Sequence, residues 1–271
     1  MEWPDARELL QTPPFAPLAS VLASLDLGRW PTHEELTAAA PHVVTSRGTA
    51  VRFVKPREHT DRERRYYELH IAAAGEIETR PGNWHDLFNA LVWIAFPHAK
   101  AAINAQHAAI LEERGEAEAR RRSPERDALT VFDEGGVIVA SSAPPVFQRI
   151  VDFEWKELFW HRRAELESTT RFFAFGHALY EKALEPFIGM VAKTVFVPVD
   201  ARFVSLEVAE QVMRVDEFLA AHFVDRANFA SAKSMAPMPV LGIPGWHAST
   251  TDESFYDDPV HFRKQRPRMP V

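Results

Sequence analysis

The run GNWHDLFNALVW, from Gly82 to Trp93, constrains the fold more than any other stretch of the chain. Its spacing predicts a helix over Trp84 to Phe96. At about 100° per residue, Trp84, Leu87, Phe88, Leu91 and Ala95 fall on one face, and His85, Asp86, Asn89 and Trp93 on the other. A surface helix would carry Lys, Glu or Arg on its second face, but here Asp86 is the only charge and a tryptophan lies beside it. Both faces therefore belong inside, and the polar groups on them need partners. Asn83 and Asp86 have a local explanation as N-cap and N3 residues. His85 has none of equal strength. In the first turn of a helix the dipole disfavours its charged form and keeps the imidazole neutral, the form that binds metal or acts as a base.

Composition sets the frame around this helix. With 271 residues, of which 46% are hydrophobic and 25% charged, the chain can fill one sizeable core. A net charge of −7 argues against a nucleic-acid partner held by a broad basic surface. The absence of cysteine excludes disulfides, thiolate metal sites and cysteine nucleophiles, so any metal must be held by His, Asp, Glu, Asn or water. The acidic start MEWPDARELL does not resemble a signal peptide, and the apolar run from Leu87 to Ala99 is shorter than the roughly 20 residues that span a bilayer. A cytoplasmic protein with no membrane partner is expected.

The pattern of elements predicts an α+β fold, a single helix-rich domain over 1–271 with a small sheet of short strands and hairpins. A loop-rich, proline-punctuated C-terminal tail over 237–271 is expected to pack on it. Helices are expected at Trp84 to Phe96, His98 to Arg114, Trp155 to Glu165, Thr170 to Leu184 and Leu206 to Phe223. AVRFVKP, RYYELHIA and AKTVFVPVD read as strands. ALTVFDEGGVIVASS reads as a hairpin, with Gly135 and Gly136 supplying positive φ at a tight turn. The basic stretch from Glu112 to Asp127 reads as the charged end of a helix and a loop, with Pro124 as the stop.

Several further polar residues look internal. In RFFAFGHALYEK, a helix would point His177 inward with Phe173, Tyr180 and Leu184, and place Glu181 one turn on, able to fix its tautomer or share a metal. His107 falls on the stripe of Ile103, Ile110 and Leu111, with Asn104 one turn away. Asp127, just before the expected hairpin, is free to serve a site, whereas Asp133 and Glu134 suit its turn. His247 follows Trp246 in the tail, where site residues often lie.

No Gly-x-Ser-x-Gly elbow, Walker loop, Gly-x-Gly-x-x-Gly or His-Glu-x-x-His occurs. What is left to an enzyme is chemistry by histidine and carboxylate. The motifs NWHDLFNALVW, RDALTVFDEGG, FGHALYEK and PVLGIPGWH followed by FYDD resemble those of a bacterial family of unknown function, domain of unknown function 3025, from about Phe15 to Phe262. The resemblance implies one domain and carries no activity, cofactor or site residue. His85, Asn104 and His107 also supply the letters of a His-Asn-His nuclease, although His85 opens a helix here instead of ending a strand.

The leading expectation is a metal-dependent hydrolase acting on a small-molecule ligand. His85, His177, Glu181 and Asp127 would hold a divalent metal ion, His247 or Asp86 would move protons, and Asn89 would position substrate. The competing expectation is a non-catalytic binding or structural protein whose buried network only fixes the packing.

Overall fold

The computed structural model describes residues 7–264; the first six residues of the acidic start and the last seven of the predicted tail lie outside them. Short helices α1 (Ala19–Ala23) and α2 (His33–Ala38) lead to strand β1 (Arg52–Val54), helices α3 (Asp61–Arg65) and α4 (Tyr67–Ala74), and strand β2 (Glu76–Glu78). Then come α5 (Trp84–Ala95), α6 (Pro97–Arg120), α7 (Pro124–Gly135), β3 (Gly136–Ser141) and α8 (Pro144–Val151). A π-helical turn at Glu157–His161 precedes α9 (Arg163–Thr169), β4 (Thr170–Ala174), α10 (His177–Ala183), β5 (Val191–Pro198), α11 (Val208–His222) and β6 (Pro237–Pro239). The fold is α+β and rich in helix, as expected. Among the described residues no helix is long and apolar enough to cross a membrane.

Two small sheets form. β1 and β2 pair in parallel, and a four-stranded sheet runs in the order β4-β3-β5-β6. In it β3 is parallel to β5 and antiparallel to β4. All six residues of β3 are buried, which is what covering both faces of a central strand requires. The buried apolar side chains form one cluster. In it α5 is buried deeply, with Phe88 stacked between Trp84 at 5.5 Å and Tyr180 of α10 at 5.6 Å.

Three expected elements are different in the structure. RYYELHIA is helical: a capping box between Thr60 and Glu63 starts α3, and Gly75, at φ +67°, ends α4. ALTVFDEGG is no hairpin. Ser123 caps α7, Pro124 takes its first turn, and Ala128, Leu129 and Phe132 are buried at helical spacing, so capping and periodicity outweigh the local β propensity of Thr-Val-Phe. Pro124 therefore starts a helix as well as following the end of one. Neither Gly135 nor Gly136 has positive φ. What Gly136 provides is room, since a Cβ there would lie 2.5 Å from the Phe132 carbonyl oxygen. Finally, Thr170 to Leu184 is not one helix but strand β4 followed by α10, so Phe173 lies in the sheet and His177 is the first residue of a short helix.

α6 is continuous as far as Gly115, where φ of +64° turns the chain before it continues to Arg120. Its start is capped from another element. Asp216 of α11 accepts from the backbone N–H of His98 at 3.0 Å and of Ala99 at 2.7 Å. This buried cap sets where α6 begins, and so where Lys100 and Asn104 lie.

Candidate active site

Helices α4, α5, α6, α7 and α10 enclose a cavity of about 270 Å³, lined by His85, Asn89, Lys100, Asn104, His107, Asp133 and His177 among others. At its centre is a lysine that the sequence did not single out. Lys100, 3% exposed, donates to Asp133 Oδ1 at 2.5 Å and to Asn89 Oδ1 at 3.0 Å, and its ammonium lies over the Trp93 ring. The sequence signal was present, because Lys100, Ile103, Asn104, His107 and Ile110 all lie on one stripe of α6 and all are buried. A lone lysine on such a stripe needs an internal counter-charge. Asp133 supplies it from the last turn of α7, not from a hairpin turn. Burial works against the Asp133 charge, but Lys100 and then His177 outweigh it, and its pKa falls below the usual carboxylate value.

His85 and His177 meet edge to face, with ring centroids 4.5 Å apart. The close packing of α5 and α10 brings them together, and Gly176 allows the approach on the α7 side, since a Cβ there would lie 2.4 Å from the Glu134 carbonyl oxygen. The two rings titrate in opposite directions. Burial pushes His177 down to about 4, with Asp133 opposing and Lys100 and His85 adding to the fall. Its Nδ1 is buried 3.6 Å from Asp133 Oδ2, and the Asp133 backbone also favours its charged form. For His85, a hydrogen bond from Nδ1 to Asp86 at 3.3 Å raises the pKa, with burial opposing. The carboxylate beside His85 thus favours its charged form, against the effect expected of the helix start.

Asp86 also receives Arg80 through the backbone N–H, Nε and Nη2 at 2.7–2.9 Å. Burial raises its pKa, but Arg80 and His85 together hold it well below the usual carboxylate range. Asn83 caps α5 through the Asp86 N–H at 3.0 Å. Farther along the cavity, Asn104 Nδ2 donates to the Glu68 carbonyl at 3.0 Å and to its Oε2 at 2.7 Å. His107 Nδ1 accepts from Arg126 Nε at 3.2 Å, and Arg126 in turn lies 3.5 Å from buried Glu118.

The other expected site residues lie elsewhere. Asp127 is exposed in the first turn of α7 and does not precede a strand. Glu181 is exposed on α10, close enough to add to the field at His85. His247 stacks on Phe255 and lines a different, mostly apolar cavity of about 430 Å³, none of whose lining residues is shared with the first. Among the described residues no group of three or more His, Asp or Glu side chains is arranged to hold a metal ion. His85, Asn104 and His107 do line one cavity, but His85 is on a helix, so the strand-borne histidine of the nuclease pattern is missing.

The family profile described as protein of unknown function (DUF3025) matches residues 51–266. The chain belongs to this family. Among curated proteins and among solved structures, nothing matches the chain. The matched region contains the whole lining of the cavity, from Tyr67 to His177. The family description assigns no activity, so the functional reading rests on the chemistry of the cavity.

Proposed function

We propose that this chain is an acid–base enzyme, a hydrolase of small polar molecules, with His177 as the general base and His85 as the general acid. One observation carries the reading: two imidazoles in contact on one cavity wall are pushed apart in pKa, one down and one up. Such a divergence is how one site holds an acid and a base together near neutral pH. His177, neutral above about pH 4, accepts a proton from the attacking water through Nε2, since Nδ1 is buried against Asp133. The Asp133 carboxylate, 3.6 Å from Nδ1, stabilises the imidazolium that forms. His85 gives its proton to the leaving atom and is restored from solvent, to which its side chain is 38% exposed.

The test is hydrolysis of a library of small esters, amides, lactones and phosphate monoesters by the wild type, His85→Gln and His177→Gln. For a turned-over substrate, kcat/KM should rise with pH through the His177 value of about 4 and fall as His85 loses its proton above its ordinary 6.5. Either substitution should cost about 10²-fold or more. Full activity in His177→Gln overturns the reading. The divalent-metal form of the proposal retains only His85 and His177 as candidate donors, and elemental analysis of protein purified without chelator tests it.

A further inference from the structure

The cavity of about 430 Å³ that His247 lines shares no lining residue with the candidate active site. Most of its lining is apolar, Leu179, Met190, Val240, Leu241 and Trp246 among them. Arg163 is the only lysine or arginine in that lining, and Glu167 the only carboxylate. Pockets of this size, apolar with one or two placed polar groups, are the usual form of a small-molecule site.

The Arg163 guanidinium is held in place but not neutralised. Nε donates to the Phe159 carbonyl at 3.0 Å, and Nη2 donates to the Thr250 carbonyl at 2.5 Å and to the Tyr256 hydroxyl at 3.0 Å. The Tyr256 hydroxyl gives its own proton to the Gly242 carbonyl at 3.1 Å, so toward Arg163 it only accepts. The guanidinium also packs on the Trp160 ring, 5.0 Å from its centroid. All of these partners are uncharged, and no carboxylate among the described residues pairs with Arg163, Glu167 included. The three bonds use the Nε hydrogen and both hydrogens of Nη2, which leaves those of Nη1 without an acceptor, and Nη1 is not a sealed atom. A half-buried arginine whose fork is fixed by neutral groups and whose last nitrogen is open is preorganised for an anion.

We infer that this cavity binds a small carboxylate with an apolar chain or ring, its carboxylate on Arg163 Nη1 and its hydrocarbon against the apolar lining. An inorganic anion would leave the apolar walls wet, and a hydrocarbon without charge would leave the guanidinium unpaired. The volume equals that of about fourteen waters at ~30 Å³ each, room for a chain of about eight carbons. Glu167 is exposed, one turn after Arg163 on α9, so solvent screens its charge more than that of the half-buried guanidinium. Binding here is independent of the acid–base reading, whose residues all line the other cavity.

The experiment is calorimetric titration of the full chain with octanoate, 1-octanol and octylammonium, with the Trp246 indole resonance as a local readout. Octanoate should bind at least about tenfold more tightly than the other two and shift that resonance. From butanoate through hexanoate to octanoate, affinity should rise by about fourfold per added methylene. Arg163→Gln keeps an N–H donor and removes the charge, and should lose about tenfold or more for octanoate while leaving octanol unchanged. Ala183→Leu fills the cavity from α10 and leaves Arg163 in place, so it tests the site even if circular dichroism shows that Arg163→Gln fails to fold. It should weaken octanoate by about tenfold or more. His85→Gln and His177→Gln should bind octanoate as the wild type does. Octanol or octylammonium bound as tightly as octanoate, no octanoate binding at millimolar concentration, or octanoate affinity unchanged in Ala183→Leu or in folded Arg163→Gln overturns the inference. So does loss of octanoate binding in the two histidine variants, which would place the ligand in the other cavity.

Discussion

Replacing Lys100 by methionine should be among the most damaging single changes in the protein, and the damage should depend on pH. The ammonium is buried against Asp133, whose side chain is 20% exposed toward the cavity, and it also satisfies Asn89 Oδ1. Removing one partner of a buried pair costs about 3–5 kcal/mol. Partial exposure of Asp133 favours the lower end, and the orphaned Asn89 oxygen adds up to about 1 kcal/mol. Lys100→Met should therefore lose about 3–4 kcal/mol of unfolding free energy at pH 7, measured by urea denaturation. In the wild type, Asp133 has a pKa below its ordinary 3.8, so its contribution is present above that value and is lost as pH falls through the lowered one. In the variant the main lowering influence is gone while burial remains. The carboxyl then has a folded pKa above 3.8 and recovers stability as it protonates. The gap between the two proteins should narrow from pH 7 to pH 4. Lys100→Met with Asp133→Asn should regain more than half of the loss. A deficit below about 1 kcal/mol at pH 7, or one independent of pH, would refute the reasoning that this pair is buried and mutually dependent.

Three other outcomes follow from the structure. His177 falls from an ordinary 6.5 to about 4, so the unfolded chain binds its proton more readily between those values, and stability is lost as pH falls through that window. This should amount to about 3 kcal/mol, and the pH dependence of urea midpoints should be shallower by about that much in His177→Gln. Gly176→Ala should cost several kcal/mol because its Cβ would lie 2.4 Å from a backbone oxygen, whereas Gly135→Ala, with nothing within 4 Å, should be neutral or stabilising by up to about 1 kcal/mol. A destabilising Gly135→Ala in thermal unfolding would favour the hairpin over the helix. Asp216→Ala removes the acceptor for two N–H groups at the start of α6 and should cost about 2 kcal/mol in the same assay.

How much of this was legible in the sequence depended on whether a residue's partner was close along the chain. The helix over Trp84 to Phe96, its Asn83 cap and its two interior faces were legible, because periodicity and capping are local. So was the inward placement of His177 on a helix, although the strand before it was not: Gly176 and the β4 register decide where that helix starts, through contacts with Glu134 and β3. The charged pair at the centre was not legible. Lys100 and Asp133 are 33 residues apart, and local turn chemistry gave Asp133 a sufficient explanation. The hairpin expectation weighed the β-branched residues around Gly135 and Gly136 above the Ser123 cap and the spacing of Leu129 and Phe132. The metal expectation took Asp127 from the mistaken hairpin and Glu181 from its place one turn beyond His177, and both are exposed.

The divergence of the two touching imidazoles is tested most directly by titrating their ring nitrogens from pH 3 to pH 9, using long-range ¹H–¹⁵N correlation spectra assigned with His85→Gln and His177→Gln. His177 should stay neutral down to about 4, and His85 should lose its proton only above its ordinary 6.5. Removing His85 should raise the His177 midpoint, since its charge helps to hold that midpoint down. Two midpoints together near 6.5, or His177 titrating above His85, would contradict the assignment of one as base and the other as acid.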